Sequence, residues 1–191
     1  MKVVGLNGSH RSDSNTGVMV SKALEVCQKN GLDVEQIDLC DKKIDYCTVC
    51  DACKGSYTCS RDDDVMDILD KIKSADALIV ASPTYFGDVT GRLKSFFDRT
   101  LPLRRNDMML SGKIGAVLAV GGSRNGGQEH VISQIHAWML INEMTLVGVK
   151  KTAHFGGICV AHAPASVDED KVGMATVVNT AEKICEVLQR M

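Results

Sequence analysis

Four cysteines fall within one short stretch of the chain, and they have the clearest chemical potential of any residues in it. Cys47, Cys50, Cys53 and Cys59 have the spacing C-x2-C-x2-C-x5-C. Two successive C-x2-C steps curl the backbone so that three sulfurs face one point, and a turn containing Gly55 brings the fourth sulfur back. Compact cysteine runs of this kind hold iron–sulfur clusters through thiolate ligands. The spacing therefore predicts a 4Fe–4S cluster with these four cysteines as its ligands.

Two other uses of the four cysteines stay open from the sequence. Zinc also binds four thiolates, although structural zinc sites more often use two C-x2-C pairs separated by a longer spacer. Free or redox-sensing thiols are the second alternative. Disulfides are not expected, because no secretory signal is seen and the chain is predicted to be cytoplasmic, where thiols stay reduced. Cys27 and Cys185 lie on apolar helix faces and are predicted to be core residues.

A second set of candidate residues follows the apolar run Lys2–Leu6, where the segment Gly8–Thr16 leads into a helix. Backbone N–H groups at a helix start attract anions, and hydroxyl, amide and guanidinium groups add further donors. A serine-rich helix cap is the simpler interpretation, but it explains one hydroxyl rather than the whole run. The segment lacks both the P-loop and the G-x-G-x-x-G pattern, so it predicts a phosphate site of another kind. The predicted phosphate-binding residues are Ser9, Arg11, Ser14, Asn15 and Thr16.

Two further loops follow predicted buried strands. The loop Ser82–Gly87 comes after the strand Ala77–Ala81 and would lie along a flat ring; a proline turn with its aromatic side chains in the core is the alternative. The loop Gly121–Gly127 comes after the strand Ile114–Val120, and its glycines allow close backbone approach to a ligand, although a flexible connection would look the same. The cofactor-binding residues predicted here are Pro83, Thr84, Tyr85, Phe86, Gly87, Gly121 and Gly122. A phosphate loop, an aromatic loop and a glycine loop in this order predict FMN, since NAD or FAD would need room for a pyrophosphate.

The elements that position these loops alternate between strand and helix. Apolar runs and one alternating segment, Asp33–Leu39, predict five strands, the last at Thr145–Val149, with amphipathic helices between them. This order predicts an α/β fold with a doubly wound, five-stranded parallel sheet, in which ligands bind at the carboxyl ends of the strands. Residues 1–191 are predicted to form one domain, with residues 40–61 as a cysteine-rich insertion after the second strand. The connection Lys150–Ser166 has no clear pattern.

Charge and hydropathy limit the classes of partner. The chain has 22 Lys and Arg against 24 Asp and Glu, a formal net charge of −2, which argues against nucleic acid as the main partner. The longest apolar runs are too short to cross a bilayer, so no membrane partner is expected. A chain of 191 residues that is 45% hydrophobic is long enough to bury a sizeable core.

Together, the cysteine motif, the Gly8–Thr16 loop and the Ser82–Gly87 loop resemble those of the iron–sulfur flavoproteins of anaerobic archaea and bacteria. That family is a branch of the NADPH-dependent FMN reductase group, and the resemblance covers nearly the whole chain. It implies a flavodoxin-like sheet, FMN bound without a covalent link, a 4Fe–4S cluster and a homodimer or homotetramer. It also implies that the cluster of one subunit lies near the flavin of its neighbour, and that ferredoxin or a similar carrier supplies electrons.

The two cofactors together predict electron transfer. An iron–sulfur cluster passes single electrons, whereas a flavin takes one or two, and the protein's part is to place and tune them. The predicted function is a relay of single electrons from a carrier through the cluster to FMN and on to an acceptor. The alternative is an NAD(P)H-dependent flavin or quinone reductase whose cysteine loop binds structural zinc or senses redox state. No residue is predicted to act as a general acid or base.

Overall fold

A parallel sheet lies at the centre of the structure, a computed structural model that describes residues 1–162 and 165–191. Its strands are β1 (Lys2–Asn7), β2 (Asp33–Asp38), β3 (Ala77–Pro83), β4 (Ile114–Gly121), β5 (Thr145–Leu146) and β6 (Gly157–Val160). They run in the order β2–β1–β3–β4–β5, and β6 also pairs with β4. The order changes direction between β1 and β3, and this is the place where open parallel sheets bind ligands.

Helices cover both faces of this sheet. They are α1 (Asn15–Lys29), α2 (Val65–Lys73), α3 (Gly91–Asp98), α4 (Leu101–Arg105), α5 (Gln128–Ile141) and α6 (Lys171–Leu188). Side chains of α1 and α6 pack on one face, and those of α2, α3 and α5 pack on the other. β3 and β4 are buried along nearly their whole length, as their continuous apolar runs predict. No helix in the described part of the chain is long and apolar enough to cross a membrane.

The edge of the sheet beside β4 differs from the prediction of a five-stranded sheet. β5 covers only Thr145–Leu146 and pairs with the first two residues of β4, whereas β6 pairs with its last four. Among the described residues the sheet therefore has six strands, and two short ones share the side of β4 where the sequence predicts a single strand, Thr145–Val149. The Lys150–Ser166 connection, which had no assigned structure, contains β6.

A pair of glycines explains this return of the chain to the sheet. A Cβ at Gly156 would lie 2.5 Å from the Val117 carbonyl oxygen, and one at Gly157 would lie 2.5 Å from Leu118 Cδ2. The close approach of β6 to β4 therefore depends on the absence of side chains at both positions.

The segment that holds the four cysteines is irregular. Residues 42–64, all within the described part of the chain, contain no helix or strand. The helix α2 begins at Val65, and the carboxylates just before it serve as hydrogen-bond acceptors. Asp63 accepts from the Asp45 N–H at 3.0 Å, and Asp64 accepts from the Lys43 N–H at 2.6 Å. These bonds tie the end of the irregular segment to its beginning.

Candidate functional site

The first loop of the site ends in the N-terminus of α1. Ser14 caps this helix, and its hydroxyl accepts a hydrogen bond from the Gly17 N–H at 3.0 Å. The Ser14 carbonyl accepts from the Val18 N–H at 3.1 Å. Among the described residues, the N–H groups of Asn15 and Thr16 have no acceptor, as expected for the first turn of a helix. This helix start therefore presents two free donors, which suits an anion.

Asn7, which is not among the residues predicted from the sequence, shapes the same loop from the end of β1. It is fully buried. Its Nδ2 donates to Asp38 Oδ1 at 2.7 Å and to Ser14 Oγ at 3.2 Å, and its Oδ1 accepts from the Ser9 N–H at 3.1 Å. One amide thus fixes both the start of the loop and the helix cap. The sequence does contain a signal for its role, since Asn7 is a polar residue at the end of a buried apolar strand.

The second loop is a tight turn that presents two aromatic side chains. Tyr85 and Asp88 exchange two backbone hydrogen bonds of 2.9 Å. Between them, Phe86 has a φ of +51° and Gly87 a φ of +77°. A left-handed conformation is rare for a bulky residue, and such outliers concentrate at functional sites. Phe86 is fully exposed and Tyr85 is 44% exposed, so neither aromatic side chain lies in the core.

The third loop packs against the second. Gly121 has no room for a side chain, because a Cβ there would lie 2.4 Å from Gln128 Nε2. Gln128 is buried; its Nε2 donates to the Ser123 carbonyl at 2.9 Å, and its Oε1 accepts from the Gly126 N–H at 2.8 Å. Gly127, with a φ of +97°, lies so close to Gly87 that its Cβ would be 3.1 Å from the Gly87 Cα. The Gln128 side chain therefore stabilises the glycine loop through hydrogen bonds to its backbone.

One cavity of about 130 Å³ brings the three loops together. The predicted residues that line it are Ser9, Arg11, Ser14, Asn15, Thr16, Pro83, Thr84, Tyr85, Gly121 and Gly122. Phe86 and Gly87, the two other predicted residues, lie outside it at the tip of the turn. Thr84 fixes the cavity wall, since its N–H and its hydroxyl donate to the Val120 carbonyl at 2.8 and 3.1 Å.

Three of the four cysteines in the irregular segment have a hydrogen-bond partner at the sulfur. The Val49 N–H lies 3.4 Å from Cys47 Sγ, the Ser60 hydroxyl lies 2.9 Å from Cys50 Sγ, and Arg105 Nη1 lies 3.3 Å from Cys53 Sγ. The hydrogen bond from Ser60, followed by the Ala52 N–H, lowers the pKa of Cys50 and so favours its thiolate. This donor set fits metal ligation, because the thiolate is the ligating form.

The backbone of this segment is unusual. Val49 has a φ of +52° and Asp51 a φ of +59°. A β-branched residue in this region is an outlier, and the two left-handed residues curl the chain around Cys50. Within residues 1–162 and 165–191, no three His, Cys, Asp or Glu side chains converge closely enough to hold a single metal ion. The four-cysteine ligand set thus stays a prediction.

Three other cysteines differ from these four in burial and chemistry. Cys27 and Cys185 are buried in the core, as predicted, and so is Cys159. Desolvation raises the pKa of Cys27 and Cys185, and it raises that of Cys159 to about 12. These three residues are protonated at neutral pH. The cysteines of the irregular segment are half-buried or exposed, which separates them from the structural cysteines.

A buried ion pair holds both ends of the cysteine segment, and sequence reasoning did not identify it. Arg99 Nη1 and Nη2 donate to the two Asp63 carboxylate oxygens at 2.7 and 2.9 Å, and Nη1 also donates to the Asp45 carbonyl at 2.9 Å. The side chains of Arg99 and Asp63 are at most 1% exposed. Burial opposes the Asp63 charge, but hydrogen bonds from Arg99 and then from the Asp45 N–H outweigh it, so the pKa of Asp63 is lowered.

A groove of about 600 Å³ joins the cysteine segment to the aromatic turn. Cys47 and Val49 line one part of it, and Asp88 and Val89, at the end of the turn, line another. Trp138 also lines it, with its ring stacked on that of Phe97 at a centroid distance of 4.4 Å. The two candidate cofactor regions therefore open onto one surface of the molecule.

Comparison with known proteins gives the family. Residues 1–155 match the family model described as NADPH-dependent FMN reductase. The chain therefore belongs to the NADPH-dependent FMN reductase family.

Two relatives define its position more narrowly. An iron–sulfur flavoprotein of Methanosarcina thermophila is 43% identical over 189 residues, which cover 99% of this chain and 96% of that protein. A second iron–sulfur flavoprotein, from Methanocaldococcus jannaschii, is 44% identical over 190 residues, which cover 99% of this chain and 98% of that protein. These matches confirm the resemblance to the iron–sulfur flavoproteins.

Solved structures show the same fold. A flavodoxin from the domain Archaea has a TM-score of 0.64 at 21% identity, and the match covers 99% of both chains. The apo form of an NADH:FMN oxidoreductase has a TM-score of 0.71 at 21% identity, covering 97% of this chain and 89% of that one. The predicted flavodoxin-like α/β fold is confirmed.

Proposed function

We propose that this chain is an electron-transfer flavoprotein with two cofactors, FMN and a 4Fe–4S cluster. The observation that carries the proposal is the cysteine segment. Its four cysteines lie outside the core, and three of their sulfurs have a hydrogen-bond partner. The names of the full-length relatives support the same cofactor pair.

In this proposal FMN binds where the three loops meet. The N–H groups of Asn15 and Thr16 and the guanidinium of Arg11 hold the phosphate. The cavity of about 130 Å³ is smaller than the pockets of about 300 Å³ or more that enclose whole ligands, so it takes the phosphate end. The ring then lies toward the exposed side of the turn, against Tyr85 and Phe86.

The cluster is held by Cys47, Cys50, Cys53 and Cys59 and supplies single-electron transfer. The protein's own contribution is placement, since the groove of about 600 Å³ leads from Cys47 to the turn at Asp88. Ferredoxin or a similar carrier is the proposed electron donor. The chain is proposed to assemble as a homodimer or homotetramer, with the cluster of one subunit near the flavin of its neighbour. The exposed side chains of Val49 and Phe86, at the two ends of this route, support such a contact.

The test is the composition of protein purified without oxygen. Iron, acid-labile sulfide, zinc and FMN are measured on one sample, and the reduced protein is examined by EPR. We expect four iron and four sulfide with one FMN per chain, and an EPR signal typical of a reduced cubane. A sample that holds zinc but no sulfide contradicts the cluster assignment.

The family model favours a second candidate function, an NAD(P)H-dependent flavin or quinone reductase, because its description names NADPH as the reductant. Here the cysteine segment binds structural zinc or senses redox state. Mixing the protein with NADPH in the absence of oxygen separates the two functions. Rapid bleaching of the flavin by NADPH supports the reductase, whereas bleaching only by a reduced one-electron carrier supports the relay.

A further inference from the structure

Arg105 places a guanidinium against one of the proposed cluster ligands. Its Nη1 lies 3.3 Å from Cys53 Sγ and 2.9 Å from Asp51 Oδ1. A guanidinium does not lose its proton in proteins, so this group is a permanent cationic donor. The partners of the Cys47 and Cys50 sulfurs are neutral instead, a backbone N–H and a hydroxyl.

The short helix α4 fixes this contact. Leu103 of α4 is fully buried and anchors it to the core. Asn106, the residue after the helix, donates from Nδ2 to the carbonyls of Cys53, Ser56 and Pro102 at 3.2, 3.0 and 2.8 Å. The end of α4 and the backbone at Cys53 are thus joined by the residue next to Arg105. The approach of the guanidinium to the sulfur follows from this arrangement.

We propose that Arg105 is a positioning residue that raises the reduction potential of the cluster through its contact with the Cys53 sulfur. The proposal rests on the proposed function, since it requires a cluster at the four cysteines. Hydrogen bonds to the sulfurs and local charge are among the factors that set the potential of an iron–sulfur cluster. Reduction adds one negative charge beside Cys53, and a cationic donor stabilises the reduced form more than the oxidised form.

The test is the midpoint potential of the cluster in the R105Q variant, measured on protein that holds both cofactors. EPR-monitored redox titration gives the cluster potential, and flavin absorbance in the same titration gives the FMN potential. We expect R105Q to lower the ratio of reduced to oxidised cluster by at least threefold when the potential of the solution is held constant. This corresponds to about 28 mV at 59 mV per tenfold for a one-electron couple. The FMN potential is expected to stay unchanged.

Arg104 provides the matched control. It is the neighbouring residue on α4 and carries the same charge, but its Nε donates to the Ile141 carbonyl at 3.2 Å rather than to a sulfur. R104Q is expected to leave the cluster potential unchanged. If R105Q retains its iron and sulfide and has the same potential as R104Q, the proposal is wrong. Wild-type protein without iron or sulfide would instead refute the proposed function.

A second measurement needs no substitution. Wild-type protein is produced in cells supplied with ¹⁵N-labelled arginine. The purified protein is then reduced and examined by pulsed EPR. We expect a weak coupling between the ¹⁵N nucleus and the cluster, because the guanidinium nitrogen lies 3.3 Å from a ligand sulfur. A spectrum without this coupling would show that Arg105 does not contact the cluster ligand, and it would overturn the proposal even if R105Q failed to fold.

Discussion

The buried pair Arg99–Asp63 gives the sharpest stability prediction. In Arg99→Met, the Asp63 carboxylate stays buried and, within the described part of the chain, keeps two donors, the N–H groups of Asp45 and Val65 at 3.0 and 3.3 Å. Removing one partner of a buried ion pair costs about 3–5 kcal/mol, because the other charge is left uncompensated. Since two backbone donors remain, we expect the lower end of this range, about 3 kcal/mol of the free energy of unfolding.

Urea unfolding, followed by circular dichroism in the absence of oxygen, measures this loss. The FMN concentration is kept the same for all variants, because bound ligand changes the apparent free energy of unfolding. Lys94→Met is the control: it breaks an exposed pair with Asp98 on the same helix and should cost no more than about 0.5 kcal/mol. Replacing both Arg99 and Asp63 by apolar residues should recover part of the loss. An Arg99→Met protein within about 1 kcal/mol of the wild type, with an unchanged dependence on urea, would refute the reasoning.

Three further predictions concern the proposed cofactor sites and the other cysteines. Gly121→Ala should weaken FMN binding about tenfold, because its Cβ would displace the Gln128 amide. Fluorescence titration measures the FMN affinity. The control is Gly91→Ala, where a Cβ meets nothing within 4 Å, and it should bind FMN as the wild type does. Cys53→Ala should lose iron and sulfide but bind FMN as the wild type does, and loss of both cofactors would contradict separate sites. Alkylation followed by mass spectrometry should leave three thiols unmodified at pH 8 until the protein unfolds, because burial keeps them protonated. These residues are Cys27, Cys159 and Cys185.

Much of the site could be predicted from the sequence, because its loops follow strands whose patterns are local. In a parallel sheet the carboxyl ends of all strands meet at one edge. The segment after β1, the turn after β3 and the glycines after β4 therefore had to lie close together. Ser14 was also predictable as a helix cap, since it precedes the apolar face of α1.

The contacts that hold the site depend on residues far apart in the chain, which no local pattern reveals. Arg99 and Asp63 are 36 positions apart, and either residue alone looks like an ordinary surface charge. Asn7 joins β1 to Asp38 at the end of β2, 31 positions away. Phe86 was predicted to contact the ring as part of its loop, but its left-handed backbone and full exposure follow from the turn geometry.

An anaerobic reductive titration shows whether the protein holds two cofactors that both accept electrons. Wild-type protein is titrated with dithionite while absorbance and EPR are recorded, and the electrons taken up per chain are counted. We expect three electrons, two for FMN and one for the cluster, and two electrons for Cys53→Ala. An uptake of only two electrons by the wild-type protein, with no EPR signal from a cluster, would contradict this expectation.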